Sequence, residues 1–556
     1  MIDSEQSRAR PSWQAWATWL AVGALLLTSL PALVRFGSIS GEWIDYPYPR
    51  PGSEGLILYE SLLLKRGGDI YEPITAERFI SGPYPPIFYW LASALLPDRL
   101  PDFSFPQTAS SIFTPGRILS LAASIVATLL VVALVTFGGY ARQSMRRVLC
   151  GLLGGMVGAT IFLAMPQVEV WATRFRGDML MLALTAGGLA CVAAGAEVGH
   201  VRVRWIWLVS GAALFSLAFY TKQTALAGPI AAALFLLARD WRSGLKWCGL
   251  MLACVAIPFA ALEVATGHWF YLKMVDYHSL PLRRLTLERL LQFAFWEDEW
   301  PVILLAGGYA LGFLFSVAGA VRRGIGATRR LSPGLQLIPL FVLAAFLTLP
   351  TGAVVGADHN HLLMSGLAIS AGVGALVAFL LDKLTASEYP PQAQAGQVSY
   401  RLSRQAYALA GAGVAALIAF YLLATSSPSS WYGPDLSRPS AEQQEQLRKI
   451  VLNVQQNPGT LVYADDPGIV ALAGKETLYD DPFTMTALAQ QGRWDESAFR
   501  ERLRNADFAL LVLSCDVSLP NGCRGDTFSP GVLDAIRDGY DVLFRDVLYT
   551  YVPRAR

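Results

Sequence analysis

The chain has 556 residues, 54% of them hydrophobic and 15% charged, with a formal net charge of +2. Soluble domains carry about 25% charged residues; here the deficit is concentrated in long apolar runs, which excludes an ordinary soluble protein and indicates a polytopic α-helical membrane protein. A net charge near zero gives no case for a nucleic-acid partner.

Apolar segments of spanning length, or pairs of them, occur at about 13–36, 116–139, 148–166, 179–196, 205–220, 224–238, 247–265, 301–320, 335–350, 361–381 and 405–425. Loop charge decides how they pair, because Lys and Arg accumulate in short cytoplasmic loops. Arg8 and Arg10 precede the first run, and Arg142, Arg146 and Arg147 follow the second. Arg202 and Arg204, Arg239, Arg242 and Lys246, then Arg322, Arg323, Arg329 and Arg330, and finally Arg401 and Arg404 mark further inner loops. An even number of spans must separate them, so 148–196 is a hairpin turning at Glu169–Asp178 and 205–238 one turning near Lys222. The expectation is about 11 spans in a plasma or inner membrane, with the N-terminus cytoplasmic and the C-terminus outside. The first run is long and lacks a small-x-small cleavage site near Pro31–Ser40, so it reads as an uncleaved anchor.

The largest polar segments then fall outside: 37–115, 266–300 and 426–556. The first begins with GEWIDYPYPRPGSEG, residues 41–55, which carries the acids Glu42, Asp45 and Glu54 among Pro47, Pro49 and Pro51. Ser53 is a candidate cap for a helix over 53–66. Leu56, Ile57, Tyr59, Leu63 and Leu64 form its apolar face, with Glu60 and Lys65 elsewhere, as in a helix lying on the membrane surface. A Gly67–Pro73 turn and the segment Ser81-Gly82-Pro83-Tyr84-Pro85-Pro86 lead to a second short apolar helix at 87–96, also expected at the interface.

The tail, 426–556, reads as a small extracytoplasmic α/β domain, long enough to bury its own core. A polar helix at about 440–457 precedes a strand candidate at 460–464. Helical patterns follow at about 483–490 and 495–505, then a buried strand at 509–513 and one or two strands within 540–552. The tail has no glycine-rich phosphate loop, so acceptor guidance or partner contact suits it better than chemistry. Cys515 and Cys523 are spaced so that a disulfide can form in an oxidising compartment, two free thiols being the alternative. Cys150, Cys191, Cys248 and Cys254 lie in apolar runs and read as small core residues.

Taken in order, a span, an acid, a short helix, a Gly-Asp-x-Tyr turn, a Tyr-Pro-Pro-x-x-Tyr segment and a span opening on Gly116-Arg117 resemble the C-type membrane glycosyltransferases. That superfamily uses lipid-phosphate sugars and includes protein mannosyltransferases and bacterial aminoarabinose transferases. Arg174-Phe175-Arg176-Gly177-Asp178 resembles its Arg-x-Asp signature, Tyr220-Thr221-Lys222-Gln223-Thr224 its Thr-Lys turn, and Gly356-Ala357-Asp358-His359-Asn360-His361 its outer turn. The resemblance covers the membrane part, 1–425, and extends to the tail only in placement.

It implies an inverting enzyme that moves a sugar from a polyprenyl-phosphate donor to an acceptor on the extracytoplasmic face; the acceptor is left open among lipid, glycan and protein. The first acid after the first span, here Asp45, would be the general base, with Asp45 capping a proline-rich turn as the alternative reading. Protein mannosyltransferases carry an Asp-Glu pair where this chain has Asp45-Tyr46. Glu54 would be a supporting or metal-binding acid, or else stabilise the start of its helix. A leaving phosphate needs cations, and Arg174, Arg176 and Lys222 at membrane depth are the leading candidates. Pairing of the two arginines with Glu169 and Asp178, and snorkelling of Lys222, are the alternatives. Arg283 and Arg284 could close over the lipid head. Tyr84, Asp178, His359, Asn360 and His361 are candidate substrate contacts. A divalent metal on the two histidines is conceivable, though two histidines and one acid are a weak ligand set. A transporter or flippase for a lipid-linked sugar is the rival class; no internal repeat supports it.

Overall fold

The computed structural model describes residues 13–51, 53–98, 111–140, 145–198, 200–277, 284–292, 296–322, 333–354, 356–385, 397–425, 436–523 and 525–555. Helix α1 (Trp13–Ile44) leads into two short helices, α2 (Glu54–Lys65) and α3 (Pro86–Leu95). Then come α4 (Thr114–Tyr140), α5 (Met145–Ala164), α6 (Pro166–Trp171), α7 (Asp178–Glu197), α8 (Val201–Thr221), α9 (Ala227–Arg239) and α10 (Trp241–Ala265). Among the described residues ten helices are long and apolar enough to cross a bilayer. α9, with 13 residues, is the sixth apolar segment of the charge-derived topology and is shorter than a full span. Both expected hairpins form: α5 and α7 flank a turn at 172–177, and α8 and α9 flank Lys222.

The helix Leu363–Thr385 runs through the bundle centre, with 89% of its apolar window buried. Its partner is α5, and small residues let the backbones meet: a Cβ at Gly154 or Gly158 would lie 2.4 Å from the carbonyl oxygen of Gly374 or Ser370. Such stripes drive packing where lipid removes the hydrophobic incentive. By contrast, α10 has no fully buried residue in its apolar window and lies at the bundle surface, with Cys248, Met251, Phe259 and Leu262 half-buried.

The C-terminal segment forms a four-stranded sheet of β1 (Val462–Ala464), β2 (Leu510–Leu513), β3 (Tyr540–Arg545) and β4 (Tyr549–Pro553), in the order β1-β2-β4-β3. β1 and β2 are parallel and the other pairs antiparallel. The helix Ala441–Gln456 opens with a capping box, Ser440 Oγ accepting from Gln443 N–H and Gln443 Oε1 accepting from Ser440 N–H. Helices Pro482–Gln490 and Ser497–Arg504 fall where the periodicity predicts them; Pro467–Leu472 and Pro530–Gly539 are additional. Cys515 and Cys523 are joined in a disulfide.

Helix α2 departs from the expected surface helix. Residues 54–62 are all buried, and Ile57, Leu58 and Leu62 share one apolar cluster with Leu447, Val451, Ile469 and Val512 of the tail. Glu60, expected off the apolar face, is wholly buried and accepts hydrogen bonds from Ser81, Gly82 and Tyr89. Gly55 is the reason the tail can come so close: a Cβ there would lie 1.8 Å from Asp466 Oδ1 and 2.7 Å from Gly468 N. Ser53 precedes the helix in the left-handed region (φ 69°) and its side chain makes no cap. Helix α3 keeps the amphipathic character of an interfacial helix, burying Phe88, Tyr89 and Ala92 and exposing Trp90, Leu91 and Leu95.

Candidate active site

Two buried polar networks shape the end of the bundle next to the tail. The first fixes the loop after α1. Arg117, in the first turn of α4, has no exposed surface and donates from Nε and Nη2 to the two oxygens of Glu54, each at 2.8 Å. Its remaining N–H groups go to the carbonyls of Trp43, Tyr46 and Tyr48. Glu54 also accepts from the backbone N–H of Arg50 (2.9 Å) and Phe175 (2.7 Å). Burial works to raise the Glu54 carboxyl, but the charge and hydrogen bonds of Arg117 outweigh it and leave the group below its ordinary range. Arg50 stacks on Trp43, 3.9 Å from the ring centre, and Arg174 donates to Pro51 O at 2.6 Å. This network makes the proline-rich segment rigid.

Asp45 stands on the rim of that frame. It is exposed at the end of α1, and Thr114 Oγ1 lies 3.4 Å from its carboxylate. Glu42 is exposed as well.

The second network gathers three of the sequence motifs. Asp178, the first residue of α7, accepts from Arg176 Nε at 3.1 Å, from Lys222 Nζ and from Asn360 Nδ2 at 3.2 Å. Arg176 reaches Tyr84 Oη as well, and both cations lie over the Tyr84 ring, at 5.0 and 5.7 Å. Arg174 and Arg176 flank Trp171 at 4.6 and 4.9 Å, and His359 meets the same indole edge-on at 5.7 Å. Arg174 is therefore not the partner of Glu169, which pairs with Arg35 at 2.7 Å. Two cationic side chains thus share one carboxylate, and Lys222 has N–H donors beyond the one given to Asp178.

A cavity of about 460 Å³ opens beside this network. Lys222, Tyr84, Gln223, Thr224 and His361 line it from the membrane part, and Asp481, Phe483 and Thr484 from the tail. That volume is within the roughly 300–1,000 Å³ of small-molecule sites. Ser53 also lines the cavity, one residue from Glu54. His359 lies apart from the lining, its Nδ1 2.5 Å from Asp358, whose carboxylate caps the following turn. Arg284 is exposed, pairs with Glu288 at 2.5 Å and is not among the lining residues; Arg283 lies outside the described residues. Among the described residues no group of three or more His, Cys, Asp and Glu could hold a metal ion.

Arg117 and Asp481 shape the site and carry no prediction from the sequence. Arg117 had a usable signal, a guanidinium inside the first turn of an apolar span. Asp481 sits in a polar segment where nothing local marks it.

Neither a protein-family model nor a curated protein sequence matches the chain. Solved structures do. ArnT from Cupriavidus metallidurans in the apo state is similar with a TM-score of 0.53 at 16% identity, over 96% of this chain and 98% of that one. The same protein bound to undecaprenyl phosphate gives 0.50 at 17% identity, over 95% and 98%. The apo oligosaccharyltransferase of Archaeoglobus fulgidus gives 0.51 at 12% identity, over 90% of this chain and 70% of that one. The chain has the fold of the C-type membrane glycosyltransferases, as the ordered motifs implied.

Proposed function

We propose that this protein is an inverting glycosyltransferase that moves a sugar from a polyprenyl-phosphate donor to an acceptor on the extracytoplasmic face of the membrane. The reading rests above all on the buried Lys222–Asp178–Arg176 group, two cationic side chains sharing one carboxylate, beside a cavity of small-molecule size. The binding of undecaprenyl phosphate by ArnT, whose fold this chain has, supports a lipid phosphate as the anion.

In this reading Lys222 and Arg176 hold the donor phosphate. An acceptor hydroxyl oxygen forms a new bond to the anomeric carbon while the bond from that carbon to the phosphate oxygen breaks. The electron pair leaves with polyprenyl phosphate, whose charge the two cations stabilise. Asp45 takes the acceptor proton. Its exposure leaves it open to an incoming hydroxyl, and the Arg117–Glu54 frame fixes the loop beside it. Asp178 orients the cations, and Glu54 supports the loop without touching the reacting atoms.

Transfer by Asp45→Asn, assayed in lipid nanodiscs with undecaprenyl-phosphate-linked monosaccharides and a cell-envelope extract as the source of acceptor hydroxyls, tests the assignment. Transfer should fall by about 100-fold or more, the size of a lost general base, with undecaprenyl phosphate binding unchanged. Near-normal transfer would remove Asp45 from the mechanism.

A further inference from the structure

The tail contributes polar groups to the cavity itself. Asp481 is half-buried, caps the helix Pro482–Gln490 and lines the same space as Lys222. Its two oxygens accept from Thr484, one from the backbone N–H at 3.1 Å and the other from Oγ1 at 2.6 Å. A carboxylate offers about four lone-pair sites, so the cap leaves accepting capacity on both oxygens. Phe483, between them in the chain, lies against Gly356, which has φ +81° and whose missing Cβ would fall 2.5 Å from the ring.

The turn that bears Asp481 is held firmly to the first loop. Phe79 N–H donates to Leu478 O at 2.8 Å and Asp480 N–H to Phe79 O at 3.2 Å, a strand-like parallel bridge that pairs Phe79 with Tyr479. Asp480 Oδ1 accepts from Ser81 N–H at 2.9 Å. A loosely attached accessory domain would not be bonded in this way at the edge of a cavity.

We propose that Asp481 and Thr484 bind hydrogen-bond donors, hydroxyl or amino, on the sugar being transferred, making the C-terminal domain part of the donor site. The proposal rests on the glycosyltransferase reading. Charge chooses the ligand group: a carboxylate repels the donor phosphate, which belongs at Lys222, and accepts from a polyol. The sugar is bonded directly to that phosphate, so it must occupy the space next to Lys222, and Asp481, Thr484 and Phe483 line that space.

The test is equilibrium binding to the full chain in nanodiscs, comparing bare undecaprenyl phosphate with undecaprenyl phosphate carrying a neutral hexose, a neutral pentose or an amino pentose. The probe is whichever sugar lipid the unaltered protein binds most tightly. Asp481→Asn and Asp481→Ser retain a helix cap, and Thr484→Val removes the hydroxyl alone. All three should weaken the sugar lipid by about tenfold, the scale of one hydrogen bond, and change bare undecaprenyl phosphate less than twofold. Equal losses for both lipids, or none for either, overturn the proposal. So does an unaltered protein that binds no sugar lipid more tightly than the bare one. Failure to bind undecaprenyl phosphate at all would instead fell the functional reading, and this proposal with it.

Discussion

Arg117 and Glu54 form a bidentate ion pair, 2.8 Å at each contact, with both side chains fully buried. The pair ties the start of α4 to the start of α2 and, through three carbonyls, to the loop that carries Asp45. Removing one partner strands a charge in a fully buried site. Glu54→Ala and Arg117→Ala should each cost about 3–5 kcal/mol, read as a large fall in the temperature at which the detergent-solubilised protein aggregates. Little change in that temperature would mean that the loop frame does not depend on the pair.

Lys222 is expected to act on the ligand rather than on the fold. Lys222→Met should weaken undecaprenyl phosphate binding by more than tenfold, and Lys222→Arg should retain more of it. Arg keeps the charge, but its planar fork fits a site shaped for a point charge imperfectly. Titration of the lipid phosphate into both variants checks the order, and affinities equal to that of the unaltered protein would remove Lys222 from the phosphate site.

Docking of the tail depends on Gly55. Substitution by Leu should separate α2 from the turn at Asp466–Gly468, since even a single Cβ meets atoms at 1.8 and 2.7 Å. Limited proteolysis should then release the segment after residue 436, while the intact protein resists cleavage there.

The acid–base cluster under the tail gives a pH dependence. Glu60, Lys273 and Asp480 are all buried, and Lys273 Nζ donates to the carbonyls of Ile70 (2.9 Å) and Ile80 (2.6 Å). Burial pushes both carboxyls above their ordinary range, Asp480 further raised by Glu60, and pushes the Lys273 ammonium down. One ammonium faces two buried carboxyls, which favours the protonated form of the acids. A raised folded-state carboxyl stabilises most below its unfolded value, near 4, and loses that contribution as pH rises through its folded value. Protection of the Phe79 and Asp480 amides from hydrogen exchange, corrected for intrinsic rate, should therefore fall as pH rises from about 4. Asp480→Asn should flatten that slope; an unchanged slope would place the titration elsewhere.

Much of the membrane part was legible in the sequence because loop charge and apolar length are local signals. They paired α5 with α7 and α8 with α9 around Glu169–Asp178 and Lys222, and they set the motifs of 174–178, 220–224 and 356–361 at one end of the bundle. What could not be read was burial created by distant segments. Glu60 looked solvent-facing because helical periodicity sees only its own helix; its partners lie at Ser81, Gly82 and Tyr89. Asp480 and Asp481 are adjacent in an unremarkable polar stretch, yet one is sealed against Ser81 and the other lines the cavity. Helix α2 has the pattern of a surface helix, and the tail covers it.

The central claim is that a polyprenyl-phosphate sugar is consumed at the cavity beside Lys222. Its most direct test is mass-spectrometric detection of undecaprenyl phosphate released from undecaprenyl-phosphate-linked monosaccharides in sealed liposomes supplied with a cell-envelope extract of lipid, glycan and protein hydroxyl acceptors, with the unaltered protein and Lys222→Met. Release by the unaltered protein, reduced by at least tenfold in the variant, is the predicted result. Movement of the intact sugar lipid across the bilayer without release, or release that does not depend on Lys222, would contradict it.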